Sequence, residues 1–308
     1  MSAKFDLLTL GAVAVDDLCY VDSFPKPDEK TPVLRRQRQC GGMSAIAAIT
    51  ASRLGGKSAY AGVLGREELS KFAFHQMRAE GVNLRHLRRR DGVRPVHSII
   101  IVDAKTGTRN IFYDFSGVVG AARDWPPAPV IESARVLFVD WYSVPGMIRA
   151  ARLARAAGIP VVADFEQNEL PGFATLLGLV DHLILSQVFA TKLTGHSDPR
   201  RALASLWTGR QQLAAVTCGA KGCFYMTADK PGAVRHEAAF KVKAVDTTGC
   251  GDVFHGAYAL ALARKMPAPE RIRFASAVAA LKATKPGGAQ QGIPTLAQVR
   301  RLMDKGSV

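Results

Sequence analysis

The sequence predicts an α/β fold, with a mostly parallel central sheet flanked by helices and a smaller β element set apart from it. Three observations predict this. From about residue 130, strand-like and helix-like runs alternate regularly, the order expected of parallel strands joined by right-handed crossovers. Residues 5–15 form an apolar run rich in β-branched side chains, as a buried strand does. Finally, Asp246-Thr247-Thr248-Gly249-Cys250-Gly251-Asp252 sets a glycine turn directly ahead of an amphipathic pattern. Such a turn feeds a helix N-terminus whose free amides and dipole favour an anion.

Taken in order, the first strand, 5–15, ends at Asp16-Asp17. Ligands in open α/β sheets bind at the carboxyl ends of strands, so Asp16 is a candidate substrate contact; a turn or cap aspartate fits its spacing equally well. Three prolines within 18–40 argue against a helix there. Gly41-Gly42 then opens a small-residue helix that Gly55-Gly56 closes. Its small side chains suit either a ligand or a closely packed neighbour. A strand at 58–65 and a helix at 67–80, stopped by Gly81, follow. Strands at 96–102 and 110–115, joined by a hairpin-like 105–108, combine with 33–39 into a side sheet.

The regular alternation places strands at 135–140, 159–164, 182–186 and 213–217, and helices at 146–157, 170–178, 187–194 and 199–210. A glycine turn at 217–222 leads into a strand at 223–226, and a strand at 239–245 delivers the chain to the 246–252 motif. Helices at 252–265, 268–283 and from about 295 complete the chain, with a further glycine turn at 285–288.

The 308 residues suffice for one α/β domain with insertions, and 1–308 reads as a single domain. No apolar run reaches the roughly 18–20 residues of a membrane span, and the N-terminus runs directly into a strand without a signal-peptide pattern. Five scattered cysteines, lacking zinc-site spacing, read as reduced thiols of a cytoplasmic protein. The net charge of +15 suits nucleic acid or a basic surface that attracts anionic small molecules. Aromatic residues are not interleaved with the densest clusters (Arg85, Arg88, Arg89, Arg90 and Arg35, Arg36, Arg38). The second reading is therefore favoured, and neither nucleic acid nor membrane is expected as a partner.

Several pieces converge on phosphoryl transfer. Asp252 stands at the mouth of an anion site, where it would repel phosphate but can deprotonate a hydroxyl that attacks one. Phosphoryl transfer is mostly positioning and charge neutralisation. The G-x-x-x-x-G-K-[ST] loop, the protein-kinase motifs, G-x-G-x-x-G after the first strand and G-x-S-x-G are all absent.

On two signatures, Gly41-Gly42 running to Leu54-Gly55 and Asp246 to Gly256, the chain resembles the ribokinase-like (PfkB-type) carbohydrate kinases over essentially its full length. The resemblance implies a three-layer sandwich with a small β lid over the sugar site, its strands falling within about 16–40 and 94–116. It implies ATP and Mg²⁺ as cofactors, with K⁺ as an activating ion, a sugar substrate, and a homodimer through the lid as a further partner. By residue, it implies Asp252 as the base and the amides of Gly249, Cys250 and Gly251 as the anion hole. It places Asp16, Gly41, Gly42 and Ile46 at the sugar, and Thr217, Gly219 and Gly222 at the nucleotide. Asp246 and Thr248, with carbonyls of 284–288, match the monovalent-cation site.

Two departures stand out. Ile46 replaces a frequent asparagine, and Ser186-Gln187-Val188-Phe189 keeps neither residue of the N-x-x-E motif that organises Mg²⁺ in many members. The C-terminal third is most similar to the sulfofructose-kinase branch, on pieces such as Arg273-Phe274-Ala275-Ser276 and Pro286-Gly287-Gly288. A nucleoside kinase of the same fold and a non-catalytic binding relative stand as alternatives.

Overall fold

The computed structural model describes residues 3–106 and 108–305, apart from the side chains of 288 and 289. The chain begins with β1 (Phe5–Leu10), β2 (Ala14–Val21), β3 (Arg35–Gly41), α1 (Met43–Arg53), β4 (Ser58–Tyr60), β5 (Val63–Leu64) and α2 (Glu68–Ala79). It continues with β6 (Arg88–Arg89), β7 (Val96–Asp103), β8 (Arg109–Asp114), α3 (Ala128–Glu132), β9 (Ala134–Val139), α4 (Val144–Ala156), β10 (Val161–Asp164) and α5 (Phe173–Leu177). Next come β11 (His182–Ser186), α6 (Gln187–Thr194), α7 (Pro199–Leu206), β12 (Leu213–Thr217), β13 (Cys223–Thr227) and β14 (Lys230–Glu237). The last elements are α8 (Cys250–Ala263), α9 (Ala268–Ala283), α10 (Gly288–Gly292) and α11 (Leu296–Lys305).

The main sheet runs β14-β13-β12-β11-β10-β9-β1-β4. From β4 to β12 every pairing is parallel, while β13 and β14 are added antiparallel at one edge. Strands buried on both faces must be apolar throughout, and Leu7, Leu8, Leu10 and Val136 to Val139 are fully enclosed. The chain leaves β1 for β4 on one side and later returns to β9 on the other, so the sheet reverses its winding between β1 and β9. Crevices at such reversals bind ligands.

Helix α8 lies along β1, β9 and β10, with α1 and α9 packed against it. A Cβ on Gly256 would sit 2.6 Å from the Ala47 carbonyl oxygen. The small residues of α1 therefore serve close helix packing, one of the two readings the sequence allowed.

A second sheet, β3-β2-β7-β8, stands apart as the expected lid. The hairpin expected at 105–108 joins β7 and β8, although its Gly107 lies outside the described residues.

Five expectations need correction. The apolar run 5–15 is two strands in two sheets: it breaks at Gly11, where an added Cβ would overlap the Asp140 carboxylate. Asp16 consequently lies within the lid strand β2, not at the end of a main-sheet strand. The run 58–65 likewise splits into β4 and β5. Residues 239–245 are a loop, because β14 already occupies the sheet edge. Helix α7 stops at Leu206, ahead of a Thr208–Gln211 turn in which the Gln211 side chain accepts the Thr208 amide and hydroxyl at 3.0 Å.

Candidate active site

Asp252 lies in the first turn of α8. Gly249 caps that helix in the left-handed region, at φ 72°, where a residue with a Cβ is strained. The Cys250 amide turns onto the Thr247 carbonyl at 3.2 Å, and Val253 is the first to bond back, to Gly249, at 3.0 Å. The amides of Gly249, Gly251 and Asp252 have no acceptor among the described residues. A Cβ on Gly251 would meet nothing within 4 Å. Nothing within the protein explains a glycine there, at a cost of about 1 kcal/mol in a helix; the open space faces outward. The donors left for an anion are thus Gly249, Gly251 and Asp252, with Cys250 engaged in the turn.

The same turn borders a largely apolar cavity of about 470 Å³. Its walls include Thr217, Gly219, Gly222, Cys250 and Gly251, together with the 239–244 loop and the α9 residues Ser276, Ala279 and Ala280. The structure therefore brings the residues expected at a nucleotide together with the expected anion hole. An apolar chamber of this size fits a nucleoside, with its phosphates at the α8 turn. Burial pushes the Cys250 thiol up to about 11, so it is not a thiolate at neutral pH.

On the lid, strand register explains how the sugar-side residues meet. Gln39, Asp16, Ser98 and Tyr113 stand in one cross-strand row over β3, β2, β7 and β8, so their side chains share a face. Burial raises the Asp16 carboxyl to about 6, against the pull of Ser98 and Gln39. Although near Asp16, the Gln39 carboxamide makes no well-formed hydrogen bond, and the residue is 1% exposed. A Cβ on Gly41 would overlap Asp16 Oδ2, so this glycine makes room for the carboxylate. Gly42, at φ 91°, packs against the β1–β2 connection, where a Cβ would lie 2.7 Å from the Ala12 carbonyl oxygen. Ile46, expected at the sugar, is wholly enclosed in the core and offers no surface to the cleft. An apolar side chain in that position is simply absorbed by packing.

Between lid and α8 lie carboxylates at the ends of main-sheet strands. Asp140, following β9, accepts hydrogen bonds from the amides of Ala12 (2.6 Å) and Tyr142 (2.9 Å) and from the Ser44 hydroxyl (3.0 Å). It ties β1 to β9 at the reversal of the sheet, and burial pushes it up to about 7. Asp164 ends β10, two residues before Glu166.

Burial and the charges of Asp164 and Glu166 hold Asp252 well above the usual carboxylate range, and Asp16 adds to the effect. Asp252, Asp164, Glu166 and Asp16 thus lie close enough to feel one another's charge. His255, 3% exposed, sits 3.2 Å from Asp164, with its ring nitrogens at 2.8 Å from the Gly251 carbonyl and 3.0 Å from that of Ile184. Burial pulls the imidazolium down and pushes Asp164 up. His255 is a packed residue that braces the first turn of α8.

Sequence reasoning missed Asp140, Asp164, Glu166, Gln39 and Lys282. The first two end strands that the sequence located, so the rule applied to Asp16 would have found them. Gln39 becomes meaningful only through cross-strand register.

The motif stretch 186–189 is used otherwise: Ser186 caps α6 by accepting the Phe189 amide at 3.1 Å. No group of three or more His, Cys, Asp or Glu among the described residues is gathered to hold a metal ion alone. At the place matched to a monovalent cation, the Asp246 carbonyl accepts the Lys282 ammonium at 2.8 Å, and Asp246 Oδ1 accepts the Thr248 amide at 2.8 Å. The Gly287 carbonyl accepts Gln37 Nε2 at 3.1 Å. These atoms are already engaged and do not fit such an ion.

Comparison with known proteins bears on this geometry. The family profile described as "pfkB family carbohydrate kinase" matches residues 4–296. Ribokinase from Haemophilus influenzae is 28% identical over 97% of this chain and 98% of its own length. A fructokinase from Solanum tuberosum is 30% identical over 87% of each chain. The crystal structure of a putative ribokinase from Agrobacterium tumefaciens superposes with a TM-score of 0.92 at 28% identity, over 98% of both chains. These likenesses give no support to the sulfofructose-kinase detail.

Proposed function

The chain belongs to the pfkB family of carbohydrate kinases, phosphotransferases with an alcohol acceptor, and we propose that it transfers the γ-phosphate of ATP to a hydroxyl of a sugar or sugar derivative with Asp252 as the base. One observation carries the assignment. Asp252 stands at the first turn of α8, between an apolar chamber sized for a nucleoside and the buried Asp16 of the lid.

The nucleoside occupies the chamber bordered by Thr217, Gly219 and Gly222. The phosphate chain runs to the turn, where the free amides of Gly249, Gly251 and Asp252 and the positive end of α8 receive the charge that develops. Asp16 and Gln39 hold the sugar hydroxyls, and the raised affinity of Asp252 for a proton suits it to take one from the attacking hydroxyl. Bound Mg²⁺ would neutralise phosphate charge; the residues that would hold it are Asp164 and Glu166, whose carboxylates crowd Asp252. Two copies meet through the outer face of the lid, where Ile99 and Phe112 form an exposed cross-strand pair.

The test is ATP consumption over a panel that includes ribose, fructose, common ketohexoses, sulfofructose and nucleosides. At least one sugar should be phosphorylated, and Asp252→Asn should lower kcat by about 10²–10⁴-fold while nucleotide binding survives. Turnover of nucleosides alone would transfer the assignment to a nucleoside kinase. Binding without turnover of any acceptor would leave a non-catalytic relative, and an undiminished rate in Asp252→Asn would remove the base.

A further inference from the structure

Lys282, on α9, has a chemistry that the reaction above does not use. It follows Ala275 and Val278 along the buried face of α9 and has no exposed surface. A lysine is almost never fully buried without a partner. Its ammonium donates to the Asp246 carbonyl at 2.8 Å and lies 3.7 Å from Asp246 Oδ1.

The surroundings are shaped to hold it. A Cβ on Gly292 would stand 2.9 Å from Lys282 Cε, so α10 leaves a groove for the stem. The Val245 and Asp246 amides both donate to the Ala283 carbonyl, at 2.7 and 3.1 Å, fastening the phosphate turn to the end of α9 beside the lysine. The positive charge is felt at the head of α8, where Lys282 acts to lower the Cys250 thiol against its burial. Burial draws the amine below its ordinary value, with Arg109 of the lid adding to this, while the Asp246 carboxylate favours the charged form.

We propose that the Lys282 ammonium is a built-in cation for the phosphate-binding turn, so that nucleotide binding and phosphoryl transfer need no K⁺ or Na⁺. Its place rests on the nucleotide site proposed above. The positive charge occupies the carbonyl and carboxylate that a free ion would require, and Gln37 takes the Gly287 carbonyl across the loop. A free cation would have to displace the ammonium from the Asp246 oxygens.

The experiment uses the whole protein and two readouts that need no sugar: Mg·ATP affinity by calorimetry and the midpoint of thermal unfolding. Each is measured in KCl and in tetramethylammonium chloride at matched ionic strength. The wild type should show less than about a twofold difference in Kd between the salts, and no saturable K⁺-specific rise in Tm. A K⁺-specific tightening of about fivefold or more, or a saturable rise in Tm, overturns the proposal.

In Lys282→Met, and in Lys282→Gln, which keeps a donor without the charge, Kd should rise about tenfold in tetramethylammonium. KCl should restore part of it. A Lys282→Gln protein that folds and binds Mg·ATP like the wild type without K⁺ also overturns it. Failure of the wild type to bind Mg·ATP at all would count against the nucleotide site, while the KCl dependence of Tm would still decide the role of Lys282.

Discussion

Asp16 and Asp140 are both held above the ordinary carboxylate value of 3.8, at about 6 and about 7, chiefly by burial. The folded chain therefore binds their protons more tightly than the unfolded chain does. Their contribution to stability is complete below about pH 4 and is lost as pH rises through 6 and 7. For Asp140, at about 1.4 kcal/mol per pKa step, the loss is at most about 4 kcal/mol. In thermal unfolding of the ligand-free protein between pH 5 and 8, the midpoint should fall more steeply for the wild type than for Asp140→Asn. Equal slopes would show that Asp140 titrates normally.

Gly41 offers a second test, because an added methyl overlaps the Asp16 carboxylate. Gly41→Ala should raise KM for the accepted sugar about tenfold or more, with Kd for Mg·ATP unchanged. An unaltered KM would mean that Asp16 does not hold the sugar.

At the scale of elements, α8 has two duties along one axis. Its first turn carries Asp252, and its second turn meets α1 at Gly256. Gly256→Val should destabilise the protein by about 1–3 kcal/mol through overpacking, seen as a drop in Tm of several degrees. A tolerated valine would imply that α1 and α8 separate freely. The main-sheet strands 182–186 and 213–217 and the helix 268–283 were legible in the sequence because their periodicity is unmixed.

The failures have physical causes. Residues 227–238 carried no expected strand, yet β14 forms because a short turn after β13 brings Lys230-Pro231-Gly232 to an edge where proline is tolerated. Ala239 to Val245 alternates like a strand but finds no free edge. Nothing in the run Leu10 to Val15 except Gly11 announces that the chain passes from one sheet to another.

At the scale of the molecule, the catalytic turn was legible because its residues are consecutive. The face proposed for the sugar was only partly so, because Gln39, Asp16, Ser98 and Tyr113 meet across four strands from distant parts of the chain. The outer face of the same sheet exposes Ile99 and Phe112, 46% and 56% accessible. Light scattering coupled to size exclusion should find a dimer that Ile99→Asp together with Phe112→Asp converts to a monomer; a monomeric wild type would end that proposal.

The separateness of the lid has a further consequence. Asp16 and Gln39 enter between β1 and α1, and Ser98 and Tyr113 enter between β6 and α3, while Asp252, the anion turn and the chamber belong wholly to the main body. On the proposed reading, the choice of alcohol and the delivery of phosphate are thus written in different stretches of chain. Selection, or a designer grafting the four lid strands of a relative, could change the diet of this enzyme while leaving its engine untouched.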